Sequence, residues 1–169
     1  MKTVKHALSM VLLAIGSLLG FSARREECCN VASTVGTHAN GVLPFVAEVT
    51  IGTRYLLVQK GTAADGIIIN VANTRPWGPC LDEPTYDANK VTKAAVALLG
   101  SAPGTLKVVA SKAIAVGVKV YTTAGGKVTD TNTAGAFMIG RAVTAAGADG
   151  DIIELAHCFP LLDASGTTL

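Results

Sequence analysis

The sequence predicts an all-β chain built on a small barrel or sandwich, with an apolar N-terminal helical arm. Three observations carry that expectation. Short Val/Ile/Leu runs alternate with Gly, Ala, Asp and Thr punctuation from Val91 to His157, at the regular short spacing of strands and turns. The 169 residues suit one domain of ordinary size plus an arm. Half of the residues are hydrophobic and only 15% are charged, against a usual charged fraction of about 25%. A chain so poor in charge hides surface against partners, so an oligomer or a component of a larger shell is expected.

The arm comes first. Met1 to Ala23 carries Lys2 and Lys5, then an apolar run from Ala7 to Phe21, then Ser22 and Ala23. Such a pattern fits a secretory signal peptide, although Phe21 stands where a cleavage site wants a small residue. The run is too short for a transmembrane helix, which needs about 20 apolar residues. Cleavage and retention both stand as readings of the segment, and retention goes with no membrane partner. A retained arm is a helix apolar on nearly every side, so it must be buried under or between neighbouring subunits. Its candidate contact residues are Leu8, Val11, Leu12, Leu13, Ile15, Leu18 and Leu19.

Residues 24–41 read as a linker, from the charged Arg24-Arg-Glu-Glu hinge through a stretch rich in Ser, Thr, Asn and Gly. The β-rich domain then occupies residues 42–169. Expected strands are Phe45 to Thr50, Tyr55 to Lys60, Gly66 to Val71, Ala94 to Leu99, Leu106 to Ala110, Val118 to Tyr121, Phe137 to Ala142 and Ile152 to Ala156. Residues 111–117 have room for one helical turn. Thr74 to Asn89 holds Pro76, Pro79 and Pro84 and reads as a long surface loop presenting Trp77 and Tyr86, the other two candidate contact residues. Thr123 to Lys127 and Ala145 to Asp151 read as tight turns, with Gly125, Gly126, Gly147 and Gly150 free to take positive φ.

Chemistry is sparse. The cysteines Cys28, Cys29, Cys80 and Cys158 and the histidines His6, His38 and His157 lack the spacing that presents ligands to one metal. A Cys80–Cys158 disulfide is conceivable in an oxidising compartment, whereas reduced thiols are expected in cytoplasm. No GxSxG elbow is present, and Ala124 to Thr129 (AGGKVT) lacks the spacing of a phosphate-binding loop. The carboxylates Asp82, Glu83, Asp149 and Asp151 fall in loops and turns, where solvation or turn hydrogen bonding accounts for them. No catalytic residue, cofactor, metal or small-molecule substrate is expected. The net charge of +2 sits in the first 25 residues: from Asn30 onward ten Lys/Arg balance ten Asp/Glu, and no basic stripe marks a nucleic-acid contact.

Several segments together carry a resemblance. These are RYLLVQKGTAADGIIIN (Arg54 to Asn70), VALLG (Val96 to Gly100), GTLKVVASKAIAVGVKVYTTAGGKVTD (Gly104 to Asp130) and IGRAVTAAGADGDIIELAH (Ile139 to His157). In order and spacing, over roughly Ile51 to His157, the chain resembles the capsid cement or decoration proteins of tailed bacteriophages. The resemblance implies a small β-barrel-like domain on the outside of the head. It also implies that the major capsid protein is the partner, that copies associate as homotrimers, and that the expanded shell is stabilised. The location it implies is the virion surface after assembly in host cytoplasm. Family members lack an arm like Met1 to Ala23, so the arm's role is not implied. Two other readings stand beside this one: an exported all-β structural or binding module cleaved near Ala23, and a small hydrolase or metal enzyme with a site assembled from distant residues.

Overall fold

The computed structural model describes residues 40–162. They hold eleven strands: β1 (Val42–Ala47), β2 (Leu57–Lys60), β3 (Gly66–Ile69), β4 (Gly78–Pro79), β5 (Lys93–Ala97), β6 (Leu106–Val109), β7 (Lys119–Thr122), β8 (Val128–Thr129), β9 (Phe137–Ala142), β10 (Ile152–Ala156) and β11 (Leu161–Leu162). Among the described residues there is no α-helix, only a 3-10 turn at Ala124–Gly126. The all-β expectation holds. The apolar arm lies outside the described residues.

The strands form two sheets. The first runs β4-β2-β3-β1-β5 and the second β6-β10-β9-β7-β8, with β11 also on β9. In the first, β1 lies parallel to β3 and antiparallel to β5, where Val42 faces Ala97 and Val46 faces Lys93. The ladders of the second are antiparallel, with a register shift between Val120 and Tyr121, and a single parallel bridge joins Ala110, just past β6, to Val128 on β8. Neither sheet closes into the barrel named as one option in the sequence. The end strands of the first do approach each other, through a single Cys80–Val96 bridge and two backbone bonds, Leu81 N to Ala95 O and Leu99 N to Trp77 O. Pro79 removes an amide donor from this seam, and the contact is not extended into a ladder.

Two apolar cores result, and neighbouring residues on one strand divide between them. Val109 joins Phe45, Ile67 and Val96 in the first core, that of the first sheet, while Val108 joins Ile139, Ile153 and Leu155 in the second. Leu57 does the reverse of Val109, leaving the first sheet to pack among second-sheet residues, whereas Leu56 and Val58 stay in their own core. Alternation sends successive side chains to opposite faces. A Val-Val or Leu-Leu-Val run buried on both faces is what a strand between two cores requires.

Three expectations need correction. Thr74 to Asn89 is not a free surface loop: β4 lies inside it, and Pro76, Gly78, Pro79, Cys80 and Pro84 are buried. Prolines hid the strand, because they are tolerated at a short edge position that needs no donor. Residues 111–117 form no helical turn; Ile114 bridges Ala146 there, with reciprocal N–H···O bonds of 3.0 and 2.9 Å. Among the turn glycines, Gly125, Gly126 and Gly150 do take positive φ, but Gly147 does not.

Candidate docking surface

Trp77 enters the structure one residue before β4. Its N–H donates to Val58 O, and its carbonyl accepts from Leu99 N. Those two bonds fix the indole against Phe45 on β1, with ring centroids 4.6 Å apart and planes tilted by 55°. A tilted pair at this distance contributes about 0.5–1.5 kcal/mol beyond its buried area. Around the pair, Leu43, Leu98, Leu99, Pro76 and Pro160 line an open groove of about 490 Å³. Leu43, Trp77 and Leu98 also pack on the first core, so the groove is that core's mouth.

The rim extends the apolar surface. Phe159 is 53% exposed and its ring lies against Gly100; a Cβ there would meet Phe159 Cδ2 at 2.9 Å, and φ is +81°. Leu161 and Leu162 follow on β11, both largely exposed. Arg75 stands on the rim as the only charged lining residue. Bare apolar surface of this kind marks a contact site more often than a catalytic one.

Tyr86, the other described contact candidate, lies elsewhere. Its N–H donates to Thr50 Oγ1, just beyond the far end of β1, and its side chain is 46% exposed. Trp77 and Tyr86 therefore belong to opposite ends of the first sheet. Leu8, Val11, Leu12, Leu13, Ile15, Leu18 and Leu19 lie outside the described residues. Sequence reading missed Leu43, Leu98, Leu99 and Pro160. The first three sit in apolar strand-like runs that look like core, and only the open end of the sheet distinguishes them. Phe159, Leu161 and Leu162 carried a signal, being an apolar cluster beyond the last expected strand.

The polar groups are structural. Asp151 Oδ2 accepts from Gly147 N and Ala148 N at 2.7 and 2.9 Å, and Asp149 pairs with Lys127 at 2.6 Å. Asp82 Oδ2 accepts from Ala95 N, and Glu83 contacts Arg54 at 3.8 Å. Turn and edge bonding thus explains both carboxylate pairs. Cys80 and Cys158 are separate thiols, each pushed above its ordinary pKa by burial. Among the described residues no cluster of His, Cys, Asp or Glu is placed to hold a metal ion. His157 has φ of +54° and ends β10, as a strand-end residue would. No described helix is long and apolar enough to cross a membrane.

Residues 49–157 match the phage cement protein family. The chain belongs to that family. As a cement-family protein it is a structural component of the phage virion, located in the capsid. The match takes in Trp77 and Tyr86 but leaves outside it β1, which brings Leu43 and Phe45 to the groove, and Pro160. The fold is also similar to the crystal structure of the head fiber gp8.5 N base of bacteriophage phi29, at a TM-score of 0.52 and 19% identity. The alignment covers 70% of this chain and 95% of that one. No curated protein shows detectable similarity to the chain.

Proposed function

We propose that this cement-family protein decorates the outer surface of a tailed-phage head, binds the major capsid protein and locks the expanded shell. Copies associate with one another as homotrimers in this reading. The role is structural, with no catalytic step, cofactor, nucleic acid or small-molecule substrate. The apolar segment bearing Leu8, Val11, Leu12, Leu13, Ile15, Leu18 and Leu19 supplies a further protein contact.

The observation that supports the reading best is the apolar surface left open at the mouth of the first core, with Phe159, Leu161 and Leu162 beside it. A shell contact gains from such area because burial is worth roughly 25 cal/mol per Å². Stabilisation then follows from mass action: a protein that binds only the expanded shell shifts the equilibrium toward it by RT ln(1 + [L]/Kd). The test uses heads of the parent phage assembled without this protein. Added protein is expected to cosediment with expanded heads, not with unexpanded precursors, and to raise the temperature at which the shell opens. Equal binding to both forms, or binding without a thermal shift, overturns the reading.

A further inference from the structure

We propose that the Trp77 groove of one copy receives the Tyr86–Val91 segment of a second copy, in a head-to-tail contact between identical chains. The contact rests on the reading that copies self-associate and names the surfaces that do it.

Two unlike apolar patches sit at opposite ends of the same pair of strands. At one end is the concave groove of Leu43, Trp77 and Leu98. At the other, Tyr86 is 46% and Val91 72% exposed, the latter being the most exposed large apolar side chain among the described residues. The polarity of β1 separates them. Leu43 faces Val96 near its start, and Thr50 holds the Tyr86 amide beyond its end. The β1 stretch from Leu43 to Ala47 alone spans about 13 Å at about 3.3 Å per residue, and Thr50 lies beyond it. A copy therefore cannot fill its own groove with its own segment, but a neighbour can.

Charge selects the pairing. Arg75 on the groove rim has no hydrogen bond or ion pair among the described residues. Between Tyr86 and Val91, Asp87 turns Oδ1 to Asn89 N at 2.9 Å and leaves Oδ2 with only a 3.9 Å contact to the exposed Lys90. Head-to-tail docking brings this carboxylate toward Arg75. A groove-on-groove contact would instead oppose two concave faces and two Arg75 guanidiniums. Joining two different patches is a heterologous contact, which closes into a ring when the rotation permits.

The experiment measures self-association of the full chain by sedimentation velocity, together with binding to expanded heads lacking the protein. Wild type is expected to associate. Arg75→Glu, Val91→Asp or Asp87→Asn should each weaken association about tenfold or more, since like charge or lost pairing at a close contact carries that weight. Asp87→Asn keeps the Asn89 bond and so keeps the turn. Combining Arg75→Glu with Asp87→Asn should weaken association no further than Arg75→Glu alone, the non-additivity expected of residues in contact. Monomeric wild type, unaffected single variants, or a double variant whose losses simply add overturns the contact. A monomer that still binds heads overturns the contact and leaves the decoration reading standing. Association that follows the expected variant pattern without head binding supports the contact and overturns the decoration reading.

Discussion

Gly78 lies directly beneath the carbonyl of Ala97: a Cβ on Gly78 would come 1.8 Å from that oxygen and 2.8 Å from its carbon. Both partners are backbone held by neighbouring bonds, Leu99 N to Trp77 O and Leu81 N to Ala95 O. The seam between the two ends of the first sheet therefore has room for glycine alone. Gly78→Ala must open the seam or bend β4 away from β2. Overpacking commonly costs about 1–3 kcal/mol, and a clash with fixed backbone belongs at or above the upper end. The expected result is a lower urea midpoint with an unchanged slope; a midpoint equal to wild type would show that the seam is loose.

Leu57 tests whether the sheets unfold together. It is fully buried and crosses from the first sheet into the second core, as Val109 crosses the other way. Leu57→Ala should cost about 2–5 kcal/mol through lost burial and the cavity left behind. Because the side chain belongs to both sheets' packing, far-UV and near-UV circular dichroism should report one coincident transition. Two separated transitions would mean that the sheets are energetically independent.

The strand framework was legible because short apolar runs are punctuated by Gly, Ala, Asp and Thr at regular spacing, with period-two alternation in only some of them. The expected β9 and β10 match their observed bounds, and six further strands differ at their ends. What failed has physical causes. The two-residue strands β4, β8 and β11 are too short for any period to show. Closure depends on strand order and on Pro79 at the seam, neither of which the local pattern encodes. Trp77 stood out in the sequence as a candidate contact residue, but its groove was not legible. Leu43, Leu98 and Leu99 look identical to core in sequence, and their exposure follows from where the sheet ends.

Cys80 and Cys158 offer a direct measure of burial. Cys80 Sγ donates to Asp82 O at 3.3 Å and Cys158 Sγ to Leu155 O at 3.2 Å, and desolvation holds both thiols in the protonated form above the ordinary range. The thiolate is the reactive species. Iodoacetamide near neutral pH should therefore label neither residue appreciably in the folded protein, and both after denaturation, as read from the tryptic peptides that carry them. Rapid labelling of native Cys80 would place it outside the core.

Glu48 links the end of β1 to the β2–β3 turn. Its Oε2 accepts from Thr62 N at 2.9 Å and Thr62 Oγ1 at 2.7 Å, and its Oε1 accepts from Ala63 N at 2.7 Å. Lys60 donates to the carbonyls of Gly61 and Ala63 in the same turn. The Thr62 amide lowers the Glu48 pKa most, then the Ala63 amide and the Thr62 hydroxyl; desolvation opposes them, and the Lys60 charge makes the smallest contribution, also lowering it. A carboxyl depressed in the folded state stabilises the fold above its unfolded pKa, and that contribution is lost as pH falls through the lowered folded value. Glu48→Gln should consequently lower the urea midpoint near neutral pH. It should also flatten the pH dependence below the ordinary glutamate range, where wild type and variant converge. Gln retains an acceptor and fits the same space, so a simple loss of packing would shift the curve by the same amount at every pH. Parallel curves would therefore remove Glu48 as the source of acid sensitivity in this turn.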